Sequence, residues 1–419
     1  MRPDPPEPMT ERSPIRVGLV GCGSMGRGVA FQVTATPGMR LEWAADRDLP
    51  AAESTAALAG CTASADALRM LDERPVDVLV EATNSIGAAA TYCLRAFETN
   101  AHVVLMNAEV DLALGQLLHL EARSRGLTVT SDAGDQHGVL ATMIAEADLL
   151  GLETVQAGNI KGFLDRRATP TSIVAEAARR RLSPTQCCAY TDGTKLHIEM
   201  AVLANGFGFL PPDGGMTGPR AASVHEALRL FDLDSYGGMP RVDYLLGAQP
   251  NGGVYLIVRP KASLPEEQRF YLGYYKLGPG PNYVLYRPYH LCHLETPRAI
   301  RAAMDGRPVL APGQSGRLLG AGPASIRPTC DVFARAKRDL GAGETIEHAI
   351  GSDACYGILD RRDAEGIPIA LLEAPTVLRR DVARDEPLTL DHLDLPEVEL
   401  TRLWTRQAAR LASLADGRA

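Results

Sequence analysis

Two compact polar motifs place lysines where they could act on a carbonyl group. Lys161 lies in GNIKGFLDRR (Gly158 to Arg167) and Lys195 in TDGTKLHIEMAVLANGFG (Thr191 to Gly208). Hydride delivery to a ketone or aldehyde leaves negative charge on oxygen. An ammonium within hydrogen-bond reach stabilises that charge and can donate the proton, whereas in the oxidative direction a neutral lysine takes the hydroxyl proton. Lys195 is the first candidate for this role and Lys161 the second. Burial beside the reacting group is expected to lower the lysine's pKa toward the working range. Leu196, Met200, Leu203 and Phe207 recur at helical spacing, which predicts a helix from Lys195 onward with Asp192 and Gly193 at its cap. Lys195 and Glu199 then stand four apart on a neighbouring face, where the plain alternative is a solvated ion pair worth roughly 0.3 to 0.5 kcal/mol. Asn159, in the first motif, is a candidate substrate ligand.

The second pattern with chemical content is GCGSMG, Gly21 to Gly26, entered from the apolar run IRVGLV (Ile15 to Val20) and left through the helix-patterned RGVAFQVTAT. Gly21 permits a tight turn, Gly23 lets the backbone approach a pyrophosphate, and Gly26 lets the helix pack on the sheet. The helix amino terminus, with Ser24 and Met25, then faces the phosphates. The next apolar segment, MRLEWAAD, ends at Asp46, twenty residues beyond Gly26, where the acidic ligand of a ribose 2′-hydroxyl belongs. Arg47 beside it could attract a 2′-phosphate, so NAD is favoured and NADP stays open.

These residues need elements to hold them. Strand-like and helix-like segments alternate through VDVLVEAT (Val76 to Thr83), HVVLMN (His102 to Asn107) and LTVTSD (Leu127 to Asp132), which predicts an α/β fold with a doubly wound parallel sheet. Ligands of such sheets bind at the carboxyl ends of the strands. That places Thr83 near the cofactor, with Asn84 alongside, and Asn107, Glu109, Asp135 and His137 near the substrate; capping and loop hydrogen bonds are the alternative for each. A phosphorylated or carboxylated substrate would need cations, for which Lys161, Arg166, Arg167, Arg241, Lys276 and Arg287 are available. The run from His290 to Glu295 contains two histidines and a glutamate, yet its spacing does not separate a metal site from packing, and no residue is assigned to a metal.

A chain of 419 residues exceeds one ordinary core. The expected division is a disordered, proline-rich leader over 1–14, a Rossmann domain over 15–150, an α+β catalytic and assembly domain over 151–325, and a small β-rich domain with a terminal helix over 326–419. Hydrophobic residues at 45% and a formal charge of −8 fit a soluble protein with no nucleic-acid footprint. No apolar run reaches the roughly 18 residues of a membrane span, and the amino terminus lacks the apolar centre of a signal peptide. The eight cysteines form no CxxC, which fits reduced thiols in the cytoplasm. A small-molecule substrate and a homo-oligomer are the expected partners.

Taken in order, the glycine turn, VVLMNAE, DAGDQHG, GNIKG and DGTKL resemble the homoserine dehydrogenase-related oxidoreductases. Within them the chain is most similar to the 1-deoxy-D-xylulose 5-phosphate reductoisomerase-like branch, to which YKLGPGPNYVLYRPYHLCHLE (Tyr275 to Glu295) also corresponds. The resemblance implies that Asp192 and Lys195 serve the carbonyl, although their spacing is one residue shorter than the family pattern. Ala108 follows Asn107 where homoserine dehydrogenases carry a second lysine, which counts against a plain homoserine dehydrogenase. A reductoisomerase would use NADPH and a divalent metal, and only that reading calls for one. Further on, FARAKRDLGAGETI (Phe333 to Ile346) and RRDVARDEPLTLDHL (Arg379 to Leu393) look like the two halves of an SAF domain, here expected to be a substrate lid or an assembly surface. The leading expectation is an NAD(P)-dependent dehydrogenase or reductase of a small polar hydroxy or oxo compound. The alternatives are the reductoisomerase and a non-catalytic dinucleotide-binding sensor or scaffold.

Overall fold

The computed structural model describes residues 13–314 and 327–415. The expected leader lies, apart from its last two residues, outside these, as does the expected boundary at 325/326. Strands β1 (Ile15–Val20), β2 (Met39–Ala45), β3 (Thr62–Ser64), β4 (Val78–Glu81), β5 (His102–Leu105) and β6 (Val129–Ser131) alternate with six helices. These are α1 (Ser24–Ala35), α2 (Leu49–Ala59), α3 (Ala67–Glu73), α4 (Ile86–Glu98), α5 (Ala108–Ser124) and α6 (Gln136–Leu149). All six strands are parallel, in the order β3-β2-β1-β4-β5-β6. Their short apolar runs follow from burial on both faces. Val17, Leu19, Val78 and Val80 pack against α1 and α2 on one side, while Leu79, Val103 and Leu105 pack against α4 and α5 on the other. The amino-terminal third is thus the doubly wound sheet expected from the sequence.

Past α6 the chain enters β7 (Leu152–Lys161), the centre of a second sheet of order β10-β9-β7-β8. Its partners are β8 (Arg241–Leu246), parallel, and β9 (Val254–Pro260), antiparallel; β10 (Tyr283–Arg287) pairs antiparallel with β9. Helices α7 (Val174–Arg180), α8 (Pro184–Thr191), α9 (Thr194–Phe207) and the short α10 (Ala227–Leu230) intervene between β7 and β8, and α11 (Glu266–Tyr274) between β9 and β10. The segment after β10 does not stay with this sheet. Helix α12 (Thr296–Met304) returns to the first one, where Ala299, Ile300 and Ala303 join the core of Val17 and Leu19. The Val309 N–H donates to Thr130 Oγ1 at 2.8 Å and the Ser131 N–H to the Leu310 carbonyl at 3.0 Å, which fastens the return to β6.

The last portion consists of short antiparallel pairs, β11 (Cys330–Ala336) with β13 (Cys355–Arg361) and β12 (Thr345–Ile346) with β14 (Thr376–Val377). It is closed by α13 (Glu399–Ala415), which docks on α5. There Gln407 accepts from the Leu117 N–H and donates to the Ala113 carbonyl, both at 2.8 Å. These are the two groups that an uninterrupted α5 would join to each other. All eight cysteines are free, and among the described residues no helix is long and apolar enough to cross a membrane.

Candidate active site

The carboxyl ends of β5 and β6 and the amino end of α9 meet at one buried cluster of polar side chains. Lys195 opens α9, and its Nζ donates to both carboxylate oxygens of Glu109 at 2.9 Å. Glu109 stands in the first turn of α5, directly after β5. The two side chains are 13% and 17% exposed, so the pair is screened little by solvent. Burial alone would lower the lysine's pKa, but Glu109 first, then Tyr190, Glu199 and Asp135, outweigh it and hold the ammonium well above its usual value. This corrects the expected lowering: the pocket concentrates carboxylates around Lys195 instead of isolating it. The helical ion pair with Glu199 is absent as well. Glu199 is buried, and burial raises its pKa to about 7 against the opposing charge of Lys161.

Lys161, at the end of β7, behaves as Lys195 was expected to, with burial lowering its pKa against the pull of Glu199. Its Nζ donates to Gln136 Oε1 at 3.2 Å. The same oxygen receives Asn159 Nδ2, and Gln136 Nε2 faces His290 Nε2 at 3.1 Å. Asp135 occupies the N-cap position of α6, yet its carboxylate leaves the helix amides alone. Burial raises its pKa, opposed mainly by Lys195. His137, one position into α6, is 1% exposed. Neither of its ring nitrogens, nor Asn159 Oδ1, nor Glu199 Oε2, finds a hydrogen-bond partner among the described residues. Burial, then Lys195, pushes His137 down to about 3, so it is neutral. Buried polar atoms without partners are rare in folded proteins, and several together mark a place for a polar ligand.

The glycine turn fits a dinucleotide. Gly21 has φ +92°, and a Cβ there would come within 2.5 Å of the Ala82 carbonyl; one on Gly26 would collide with the Gly21 oxygen. A Cβ on Gly23 would meet nothing within 4 Å, so the backbone at the mouth of α1 faces open space. The first turn of α1, with Ser24 and Met25, has no acidic residue and no side-chain cap, leaving its N–H groups for an anion. Asp46 is held beside them: its Oδ2 accepts from the Cys22 N–H at 2.7 Å and its Oδ1 from the Asp48 N–H at 2.9 Å. Arg47 is exposed next to it. Thr83 follows β4, its N–H donating to Glu81 Oε1 at 2.8 Å.

Residues 21–131 match the family model for the homoserine dehydrogenase NAD-binding domain, and residues 134–296 that for the catalytic domain of oxidoreductase DRL. A stretch similar to a dinucleotide-binding domain is thus followed by one similar to an oxidoreductase catalytic domain. An L-aspartate dehydrogenase from Methanospirillum hungatei is 27% identical over 175 residues, which is 40% of this chain and 62% of that protein. Among solved structures, a putative myo-inositol dehydrogenase from Sinorhizobium meliloti is 14% identical at a TM-score of 0.41, covering 74% of this chain and 97% of that one. A myo-inositol dehydrogenase from Corynebacterium glutamicum is 13% identical at 0.38, covering 59% and 73%. Lys161, Lys195, Glu199, His290 and Cys292 all fall within the DRL catalytic match, and Glu109 within the NAD-binding one.

Several expected site residues have other partners. Asp192 ends α8 with its carboxylate turned away from Lys195; Oδ1 accepts from the Thr194 N–H and Oδ2 pairs with Lys337 Nζ, both at 2.8 Å. Its family-implied role at the carbonyl therefore has no geometric support. Asn107 is the N-cap of α5, its Oδ1 accepting from the Val110 N–H at 3.2 Å. Of the suggested substrate clamps, Lys161 lies at the pocket and the five others do not. Arg167 binds Asp385 at 2.6 Å, Arg287 binds Glu295 at 2.6 Å, Arg166 and Arg241 lie over the rings of Tyr356 and Tyr236, and Lys276 is exposed. Gln136 and Tyr190 carried no sequence signal. Both reach the pocket because α6 begins and α8 ends there.

Proposed function

We propose that this chain is an enzyme that moves hydride between a nicotinamide dinucleotide and a small polar hydroxy or oxo compound bound in the Lys161–Lys195 pocket. The observation that carries the reading is the Lys195–Glu109 pair, buried beside the unpartnered His137 and Asn159 Oδ1, at the strand ends of a sheet with an open glycine turn. Backbone N–H groups at Gly23, Ser24 and Met25 would hold the pyrophosphate, Asp46 the adenosine ribose, and Thr83 the nicotinamide side. The cofactor, when bound, supplies or accepts the hydride. Lys195, kept charged by Glu109, donates a hydrogen bond to the substrate oxygen and stabilises the charge that develops there. Lys161 and Glu199, whose pKa values are shifted toward each other, carry the proton to or from that oxygen. His137 and Asn159 orient the remaining polar groups of the substrate.

NAD is the proposed cofactor, because the fixed Asp46 carboxylate repels a 2′-phosphate. Equal affinity of the wild type for both dinucleotides would remove that preference. The free cysteines support a reduced, cytoplasmic setting, and the exposed aromatics of α11, Phe270 and Tyr274 at 65% and 64% exposure, support a homo-oligomer. The activity is tested by following NAD(H) and NADP(H) absorbance against sugar phosphates, hydroxy acids and homoserine, with and without a divalent cation. Turnover of at least one such compound is expected. Tight dinucleotide binding with no turnover on any would favour the sensor instead.

A further inference from the structure

The lysine pocket has a second wall that the proposed hydride chemistry does not use. Asp135, His290 and Cys292 come from two distant segments, yet one ligand atom of each lies within 4.8 Å of the others. The thiol and the ring are in contact, Cys292 Sγ to His290 Nδ1 being 3.4 Å. Ligand atoms around a tetrahedral zinc stand roughly 3.3 to 3.8 Å apart, so modest side-chain rotation closes the set. The backbones are already clamped. The Cys292 N–H donates to the Gly134 carbonyl at 3.0 Å, and a Cβ on Gly134 would collide with the Cys292 carbonyl, so only glycine admits this approach. Cys292 itself is held at φ +44°, a conformation that costs energy for a residue with a Cβ.

We infer that Asp135, His290 and Cys292 bind one thiophilic divalent cation, with zinc as the type, leaving its fourth position on the Lys161–Lys195 pocket. Mixed oxygen, nitrogen and sulfur ligands select such an ion over magnesium, and three protein ligands with an open position are the pattern of catalytic zinc. His293 and Glu295, the other members of the run noted in the sequence, are not part of the set; the His293 ring packs on Gly28, and Glu295 pairs with Arg287 and Arg298.

The site is read by metal binding alone, independently of turnover. Metal-stripped full-length protein is titrated with cobalt(II) and followed by absorbance, with melting temperature as the control for folding. One equivalent is expected to bind with a thiolate-to-cobalt charge-transfer band. Cys292→Ser should abolish the band, and His290→Ala should weaken binding at least tenfold, while both variants still bind NAD(H). Absence of the band in folded wild type, or its persistence in Cys292→Ser, overturns the site and leaves the proposed hydride chemistry standing on its own test.

Discussion

His197 follows Lys195 by two residues on α9 and faces the other way. Its Nδ1 accepts from the Leu359 N–H at 2.9 Å, and burial, with Arg166 adding to it, holds its pKa down at about 3, against an ordinary value of 6.5. Below pH 6.5 the unfolded chain takes up a proton here that the folded one does not. The stability tied to this group is therefore complete above that pH and is lost as pH falls toward 3. In His197→Asn the amide oxygen takes the place of Nδ1 but does not titrate. Denaturant melts should show wild type losing up to about 1.4 kcal/mol per pH unit relative to that variant through the window, and parallel profiles would contradict the neutral, accepting imidazole. Residue identity was legible in the sequence where local spacing decides it. Lys195, Gly21 and Asp46 sit where the motifs put them. The partner of Lys195 was not legible: Glu199 is four residues away, but Glu109, 86 positions distant, is the one that the fold brings to it. Asn107 takes the capping alternative that the sequence allowed, preceding Ala108 and an acidic first turn.

At the scale of elements, the carboxyl-terminal strands are not placed as a lid. They pack against α9, and two of the polar fasteners of this portion are Lys337 and Glu373. Lys337 pairs with Asp192 and donates to the carbonyls of Ala168 at 2.7 Å and Ser352 at 2.6 Å, with under 5% of either side chain exposed. Lys337→Met leaves Asp192 buried without its partner, which should cost about 3 to 5 kcal/mol, and adding Asp192→Leu should recover most of it. Urea unfolding of the single and double variants checks both. The second fastener is Glu373, which caps α4 from outside: it accepts from the Ser85 hydroxyl and the Gly87 N–H, each at 2.9 Å, and from the Ile86 N–H. Glu373→Ala should lower stability by about 1 kcal/mol, the usual worth of a helix cap, with catalysis unchanged. Full stability in the thermal melt would show the cap to be dispensable. Helix and strand periodicity made α1, β1, β2 and α9 readable in advance. The return of α12 to the first sheet was not, because its apolar stripe of Ala299, Ile300 and Ala303 specifies burial without specifying the surface.

For the whole molecule, the NAD-binding sheet, the second sheet and the carboxyl-terminal strands share one continuous core, while, among the described residues, the pocket's side chains come from the first two portions alone. Its polar groups are drawn from α5, α6, β7, α9 and the segment after β10. The sequence foretold the class of fold and the two lysines, while the assembly of carboxylates around them depends on contacts between distant segments, as between Glu109 and Lys195, 86 positions apart. That assembly is what turns a dinucleotide site into a place for carbonyl chemistry. The most direct test is Lys195→Met, paired with Glu109→Gln so that no buried charge is stranded, measured for NAD(H) affinity and for turnover of the substrate found in the absorbance panel. Loss of a stabilising donor and its charge should lower kcat by roughly two to four powers of ten, with dinucleotide affinity within about threefold of wild type. Near-normal turnover in the folded double variant would contradict the assignment of the substrate oxygen to Lys195.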